Sequence, residues 1–427
     1  MDKNGTLFPT KSLSLNNGTI YRSNRWGIKY SSIYLLFTIF CCFPYIQIIP
    51  IPTDSQPYAL IGGVIILLIF KPTKLVRELY YLLIVMIWSI IVVGLAKLDF
   101  NSIRSVLNYV SLFVIATATY IILSKHGCLK FSWFKKIVYI WGGVALVQQF
   151  IYPSFGSFLI SRMSGTGSSG RGVTSLAPEP TFYAIICVLL SIICFLNYRN
   201  QTEYKKTQWI IWGQILILSR SATVIMLSAG AYIIYRLILS LKTNPKIFLR
   251  LVFAACLLLL LINILIPYIE QYRFGNLLIK LLENPQIFIT VDESVNERFI
   301  HAFFPIYGFM QSCGLPHGFG QFSDYINIIT DTGQFSEYIP FVKSNYSRIM
   351  SGIGSALFEL GLPAMLILIV ILKSLRTIYK ETRQILLFGI LFLFILFNAM
   401  PLSNALIGFV LGNLIYCKYH PYINYER

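Results

Sequence analysis

The stretch WIIWGQILILSRSATVIMLSAGAYIIYRLILSL (209–241) decides the fold. Its 33 residues are too many for one ordinary membrane span and too apolar for a surface helix. A helix crosses hydrocarbon in about 20 residues, each rising about 1.5 Å. Either one long tilted helix runs through the stretch, or the chain turns back at the polar triplet Ser219-Arg220-Ser221. Every later crossing changes direction with that choice. Lys205 and Lys206 precede the stretch, and Arg236, Lys242 and Lys246 end it. Cytoplasmic flanks of membrane spans collect lysine and arginine, so basic residues at both ends predict a hairpin with both ends in the cytoplasm. Arg220 then sits at the outer membrane surface.

Working outward, apolar runs predict twelve spans: 32–51, 57–70, 79–96, 105–124, 137–152, 179–196, 208–219, 221–241, 248–268, 352–372, 384–400 and 404–417. The composition agrees. The 427-residue chain is 56% hydrophobic and 12% charged, with a mean hydropathy of +0.68, whereas a soluble domain is about 25% charged. The expectation is an all-α polytopic membrane protein, one membrane domain over 1–427 with about 12 transmembrane helices. A net charge of +18 would point to nucleic acid in a soluble protein. Here the hairpin topology assigns 25 of the 35 lysines and arginines to cytoplasmic segments, with both termini cytoplasmic. Membrane orientation accounts for the basic excess, and the expected partners are membrane lipids and no nucleic acid. Residues 1–30 are polar and basic and lack the apolar core of a secretory signal.

The eight cysteines include no CxxC and no cysteine-histidine cluster, and most sit in apolar runs. Neither a disulfide nor zinc is expected. Aspartates and glutamates are too scattered for a divalent-metal cluster, and no Walker loop, GxSxG or HExxH is present, so no metal or cofactor is expected.

Two outer loops are more than connectors: 153–178, and 269–351 between the ninth and tenth spans. In the larger, Phe274, Leu277, Leu278, Leu281 and Leu282 fall on one helical face, as in an amphipathic helix on the outer leaflet or one packed on the span tops. In DESVNERFIHAFFPIYGF, Ser294 and Glu297 fit a capping box, Arg298 and His301 share a face, and Pro305 is expected to kink or end the helix. GLPHGFG (314–320) is turn-rich and presents His317. The chain then re-enters the membrane through NYSRIMSGIGSALFELG (345–361), with Glu359 near the start of the span.

Arginine thus recurs at four outer positions, Arg171, Arg220, Arg298 and Arg348, on four separate segments. Each alone also reads as an ordinary loop, turn or helix-surface residue. Together they suit phosphate, because the planar guanidinium fork captures oxygens bidentately. In SSGRGVTSLAPEPT (168–181) the glycine-serine run lets Arg171 bend over the membrane edge, and Glu179 lies where a carboxylate could orient an arginine or take a proton. It could equally be a charge favoured by the helix dipole.

The order Arg171 to Glu179-Pro180, then LSRSA (218–222), SVNERF (294–299), the GLPHGFG turn and LFELGLP (357–363), on about twelve spans, resembles the bacterial O-antigen polymerase family and its ligase relatives. The resemblance implies a metal-independent, inverting membrane glycosyltransferase. It would join repeat units carried on undecaprenyl diphosphate at the periplasmic face of the inner membrane, with a chain-length regulator and a flippase as further partners. It implies that Arg171, Arg220 and Arg298 hold the diphosphate, to which the residue pattern adds Arg348, and that His301 or His317 is the counterpart of a ligase base, with Glu179 as the further base candidate read from the residues. Arg162 to Gly172 and Arg298 to Gly308 each enclose nine residues, close to an arginine-glycine spacing of ten in such polymerases. The alternatives are a ligase moving the glycan to lipid A core, and a transporter or flippase for the lipid-linked unit.

Overall fold

A computed structural model describes residues 27–49, 53, 55–72, 74–95, 100–163, 172–243, 279–280, 289–290, 292–333, 335–342, 346, 348–398 and 400–420. The expected ninth span (248–268), most of the amphipathic segment 274–282, and Arg171 lie outside them.

The described residues form helices and no strand. In chain order the helices are α1 (Gly27–Cys42), α2 (Tyr58–Phe70), α3 (Arg77–Leu95), α4 (Phe100–His126), α5 (Phe131–Phe150), α6 (Pro180–Tyr198), α7 (Tyr204–Gly213) and α8 (Ala222–Thr243). After them come α9 (Glu293–Gln311), α10 (Phe322–Asp331), α11 (Gly352–Leu360), α12 (Met365–Tyr379), α13 (Ile385–Asn398) and α14 (Ala405–Tyr419). Five stretches, in α3, α4, α6, α8 and Leu362–Tyr379, are long and apolar enough to cross a membrane, and four shorter apolar helices accompany them. This matches a polytopic α-helical membrane protein.

α4 and α14 make the most extensive helix pair. Between lipid-facing helices, association rests on close van der Waals approach, which small residues permit. Gly408 and Gly412, spaced GxxxG on α14, supply it: a methyl at Gly412 would stand 2.6 Å from Ala116 O. α6 is enclosed along its length, with every residue from Tyr183 to Leu196 buried.

The stretch 209–241 breaks where its polar triplet stands. α7 passes into a π-helical turn, Gln214–Ser219, and Arg220 takes the left-handed conformation at φ 45°. Three contacts along α6, from α7 through the turn, run in opposite sequence order. Gln208 Nε2 donates to Ser191 O (2.9 Å), Tyr183 OH to Gln214 Oε1 (2.9 Å), and Ser221 Oγ to Thr181 Oγ1 (3.3 Å). α7 is therefore antiparallel to α6. α8 then packs along α13, where Gly230 faces Phe394, and also touches α6. The chain turns back at Arg220, as a hairpin does.

Three local expectations need correction. The run 352–372 is not one helix: Gly361 at φ 69° ends α11, and a short 3₁₀ turn, Leu362–Ala364, leads into α12. Pro363 cannot donate to that helix ladder, and Gly361 alone takes the left-handed turn without a side-chain clash. Pro305 does not end its helix, because α9 runs through it to Gln311. The helix cap is also not the Ser294 box. Asp292 is the N-cap, its carboxylate accepting from Val295 N at 3.1 Å, and this puts Ser294 inside the first turn.

The large loop builds a small core of its own. Ile300 and Phe304 of α9, Phe322, Ile326 and Ile329 of α10, and Ile339, Tyr346, Ile349 and Phe358 cluster apart from the main core. α9 fastens this module by packing on α11 and α13.

Candidate functional site

The site is built outward from the start of α6. Glu179 is extended (φ −145°, ψ 154°) and Pro180 opens the first turn, where its missing N–H costs nothing. The Glu179 carboxylate does not cap its own helix. Its Oε1 lies 3.5 Å from a terminal nitrogen of Arg162. Both side chains are partly exposed, at 33% and 46%, so the pair adds little stability and stays accessible from solvent.

The segment before Glu179 is not a surface loop. Gly172 through Pro178 are all buried. Non-helical backbone inside an apolar bundle must have its polar groups satisfied by protein. Val173 N donates to Leu218 O at 2.9 Å, Ser175 N to Gln148 Oε1 at 2.6 Å, and Gln148 Nε2 to Ser175 O at 2.8 Å. Gly172 lies flat on the π turn. A methyl there would stand 2.0 Å from Ser219 O, far inside the 3.0 Å that a non-bonded Cβ keeps from its neighbours. This contact brings the residue beside Arg171 against the residue beside Arg220.

Arg220 follows the π turn. Its N–H donates to Ile215 O and its Nε to Ile217 O. Among the described residues its two Nη groups take no partner, and the side chain is half-buried. The Ser221–Thr181 hydrogen bond puts this turn beside the first turn of α6. From a third direction, Arg348 joins Phe182 of α6, Tyr45, Ser55, Met350, Met400 and Pro401 around a cleft. The Tyr45 and Phe182 rings meet at 6.0 Å. Asn404 Nδ2 donates to the Tyr45 hydroxyl at 3.1 Å. The first turn of α6 thus gathers Glu179, Arg162, Arg220 and Arg348, with one apolar-walled cleft.

Arg298, His301 and His317 belong to the loop module. His301, buried at 1% exposure, stacks on Phe322 (5.6 Å) and meets the edge of Tyr346 (5.2 Å). Arg298 is half-buried one turn earlier on α9. His317 stacks flat on Phe358 at 4.3 Å and its Nε2 is 3.0 Å from Gly308 O. Its own N–H donates to Phe358 O, so the turn is pinned to α11. Beside it, burial pushes the Tyr325 hydroxyl up, and it stays a neutral donor to Gln311 Oε1 at 2.7 Å. The module and the cleft are contiguous through 346–351, because Tyr346 meets His301 while Arg348 lines the cleft. Glu359 is buried in α11 and accepts from Tyr109 OH of α4 at 2.5 Å.

Arg162, Tyr45, Phe182 and Gln148 were not singled out as site residues from sequence. Gln148 did carry a signal, as a glutamine in the apolar run VALVQQF (144–150), since buried polar groups inside such runs are costly and tend to be functional or specifically paired. No protein-family model matches the chain, and no curated protein matches it.

Proposed function

We propose that the protein is a membrane glycosyltransferase of the O-antigen polymerase type. In this reading twelve spans cross a bacterial inner membrane, both termini are cytoplasmic, and the start of α6 faces the outer side. The enzyme joins oligosaccharide repeat units carried on undecaprenyl diphosphate into a longer surface polysaccharide. One observation carries the reading: arginines from three separate segments come to the first turn of one helix, where Arg162 pairs with the Glu179 carboxylate, Arg220 adjoins Ser221 bonded to Thr181, and Arg348 shares a cleft with Phe182.

That arrangement suits transfer from a lipid diphosphate. An acceptor hydroxyl oxygen bonds to the donor's anomeric carbon, the bond from that carbon to the diphosphate oxygen breaks, and the hydroxyl proton passes to a base. The departing diphosphate gathers negative charge, which preorganised guanidinium groups stabilise. Arg220, with both Nη groups uncommitted among the described residues, is the first choice for that contact, and Arg348, which lines the cleft with Phe182, is the second. Glu179 is favoured as base over His301 and His317, because it is solvent-accessible beside the arginines while both histidines are stacked on aromatic rings. Anchoring both substrates in one membrane supplies proximity.

Deleting the gene and separating surface glycan on a gel tests this reading. The expected result is loss of the long-chain ladder, leaving single-unit caps. Arg220→Ala should reach the membrane at normal levels yet lower polymerisation by about 10²-fold, the scale of losing one preorganised charge stabiliser. A persistent ladder in the deletion strain would refute the assignment. Finished polymer left on its lipid carrier would favour the ligase, and unelongated units held on the cytoplasmic face would favour the flippase.

A further inference from the structure

Gln148, in the last two turns of α5, has no part in the chemistry above, yet it is tied more tightly than any other residue to the segment that ends in Glu179. It is 1% exposed. Its Nε2 donates to Ser175 O at 2.8 Å and to Phe155 O at 2.7 Å, and its Oε1 accepts from Ser175 N at 2.6 Å. A primary amide has two donor hydrogens and two acceptor lone pairs. Three of those four capacities grip the main chain of the α5–α6 connection. Ser175 is wholly buried and left-handed at φ 53°, a conformation side-chain-bearing residues rarely take, and its Oγ donates to Trp141 O at 2.7 Å. Two residues back, Val173 donates to Leu218 O beside Arg220, and four residues on stands Glu179. One side chain therefore fixes the stretch that connects the two sides of the cluster.

We propose that Gln148 is a positioning residue for the transfer site. By clamping both main-chain polar groups of Ser175, it sets where the buried 172–178 segment presents Glu179 relative to Arg220. The inference rests on the polymerase reading for what the site does. Gln149, its neighbour, is half-buried with no such bonds and serves as the control.

The test uses purified full-length protein in detergent and lipid-linked repeat unit extracted from the deletion strain. Gln148→Met keeps the length of the side chain and removes all three bonds. It should lower kcat about tenfold or more, since small misplacement of reacting groups costs rate steeply. KM should stay within about threefold, because the arginines that hold the donor remain. Gln149→Met should change neither. A second readout needs no turnover. Val173, at 6% exposure, is changed to cysteine and probed with maleimide. The thiol should be protected when Gln148 is present and labelled in the Gln148→Met background. Should Gln148→Met not accumulate, Gln148→Glu is read instead, as it keeps the acceptor for Ser175 N–H. Wild-type kcat in the Gln148 variant, or unchanged protection at position 173, overturns the proposal. Wild-type protein that elongates nothing overturns the polymerase reading alone, and the labelling arm then still decides whether Gln148 holds the segment.

Discussion

Two connections approach the start of α6, and they are held by opposite means. The 172–178 segment has no apolar core of its own. It is buried in the bundle, and its polar main chain is met by Gln148 and by Leu218 of the π turn. The module over 292–349 instead carries its own core of aromatic and aliphatic side chains, joined to the bundle through α11 and α13. A segment held by the bundle should share the bundle's stability. A module with a separate core should open by itself, as cooperative substructures do. The arginines fall on both sides of this divide, so the site joins a wall held by the bundle to one held by the module's own core.

The strongest way to break the comparison is Phe304→Ala. Phe304 is fully buried at the centre of the module, against Phe299, Phe303 and Phe335. Removing such a ring costs about 3–5 kcal/mol. The expected outcome is rapid protease cleavage within 292–342, with the thermal unfolding of the bundle unchanged. A matching drop in the bundle's Tm would show that the two regions unfold as one.

A matched pair of glycine substitutions sharpens the same contrast. At Gly172 an added methyl meets main-chain atoms of Ser219 and Leu218, which cannot move without shifting the π turn and Arg220. At Gly308 the added methyl meets Phe358 Cε2 at 2.8 Å and Tyr325 at 3.1 Å, the first a side chain that α11 lends to the module's core and the second the module's own. Overpacking costs about 1–3 kcal/mol. Gly172→Ala should reach the upper end, about 3 kcal/mol, and lower the Tm of the whole protein. Gly308→Ala should cost about 1 kcal/mol, read as faster proteolysis of the module only. Equal effects in the same assay would refute the division.

Much of this contrast was legible in part. The turn at 219–221 was readable because a polar triplet with basic residues beyond both ends has one economical topology, and Arg220 falls at that turn. The aromatic density of ERFIHAFFPIYGF foretold an apolar helix, though not that it would close a core with Phe322 and Phe358. The buried path of 172–178 was not legible. Glycine, serine and threonine there look like a solvated linker, and only contacts with Gln148, 27 residues away from Ser175, and with Leu218 make burial tolerable. The break at Gly361 was written in GLP, but the apolar run on either side masked it. Continuity through Pro305 was hidden because His301 O, the carbonyl that proline leaves without its helical donor, faces α11, where a methyl built on Gly354 would stand 3.4 Å from it. Local sequence does not record that neighbour.

The smallest expected effect tests where the module begins. A capping box read from SVNE makes Ser294 the residue whose loss frays α9. The observed cap is Asp292, whose carboxylate accepts from Val295 N and whose negative charge faces the positive end of the helix. Replacing an N-cap aspartate by alanine costs about 1 kcal/mol, whereas an alanine inside the first turn is close to neutral or mildly helix-stabilising. Asp292→Ala should therefore speed amide exchange in the first turns of α9, up to Arg298, by about fivefold, and Ser294→Ala should leave it nearly unchanged. Because α9 packs on α11 and α13 beyond that turn, exchange past Phe304 should not respond to either change. If it does, the helix is held at its start rather than by its packing, and the separate core cannot be what stabilises the module.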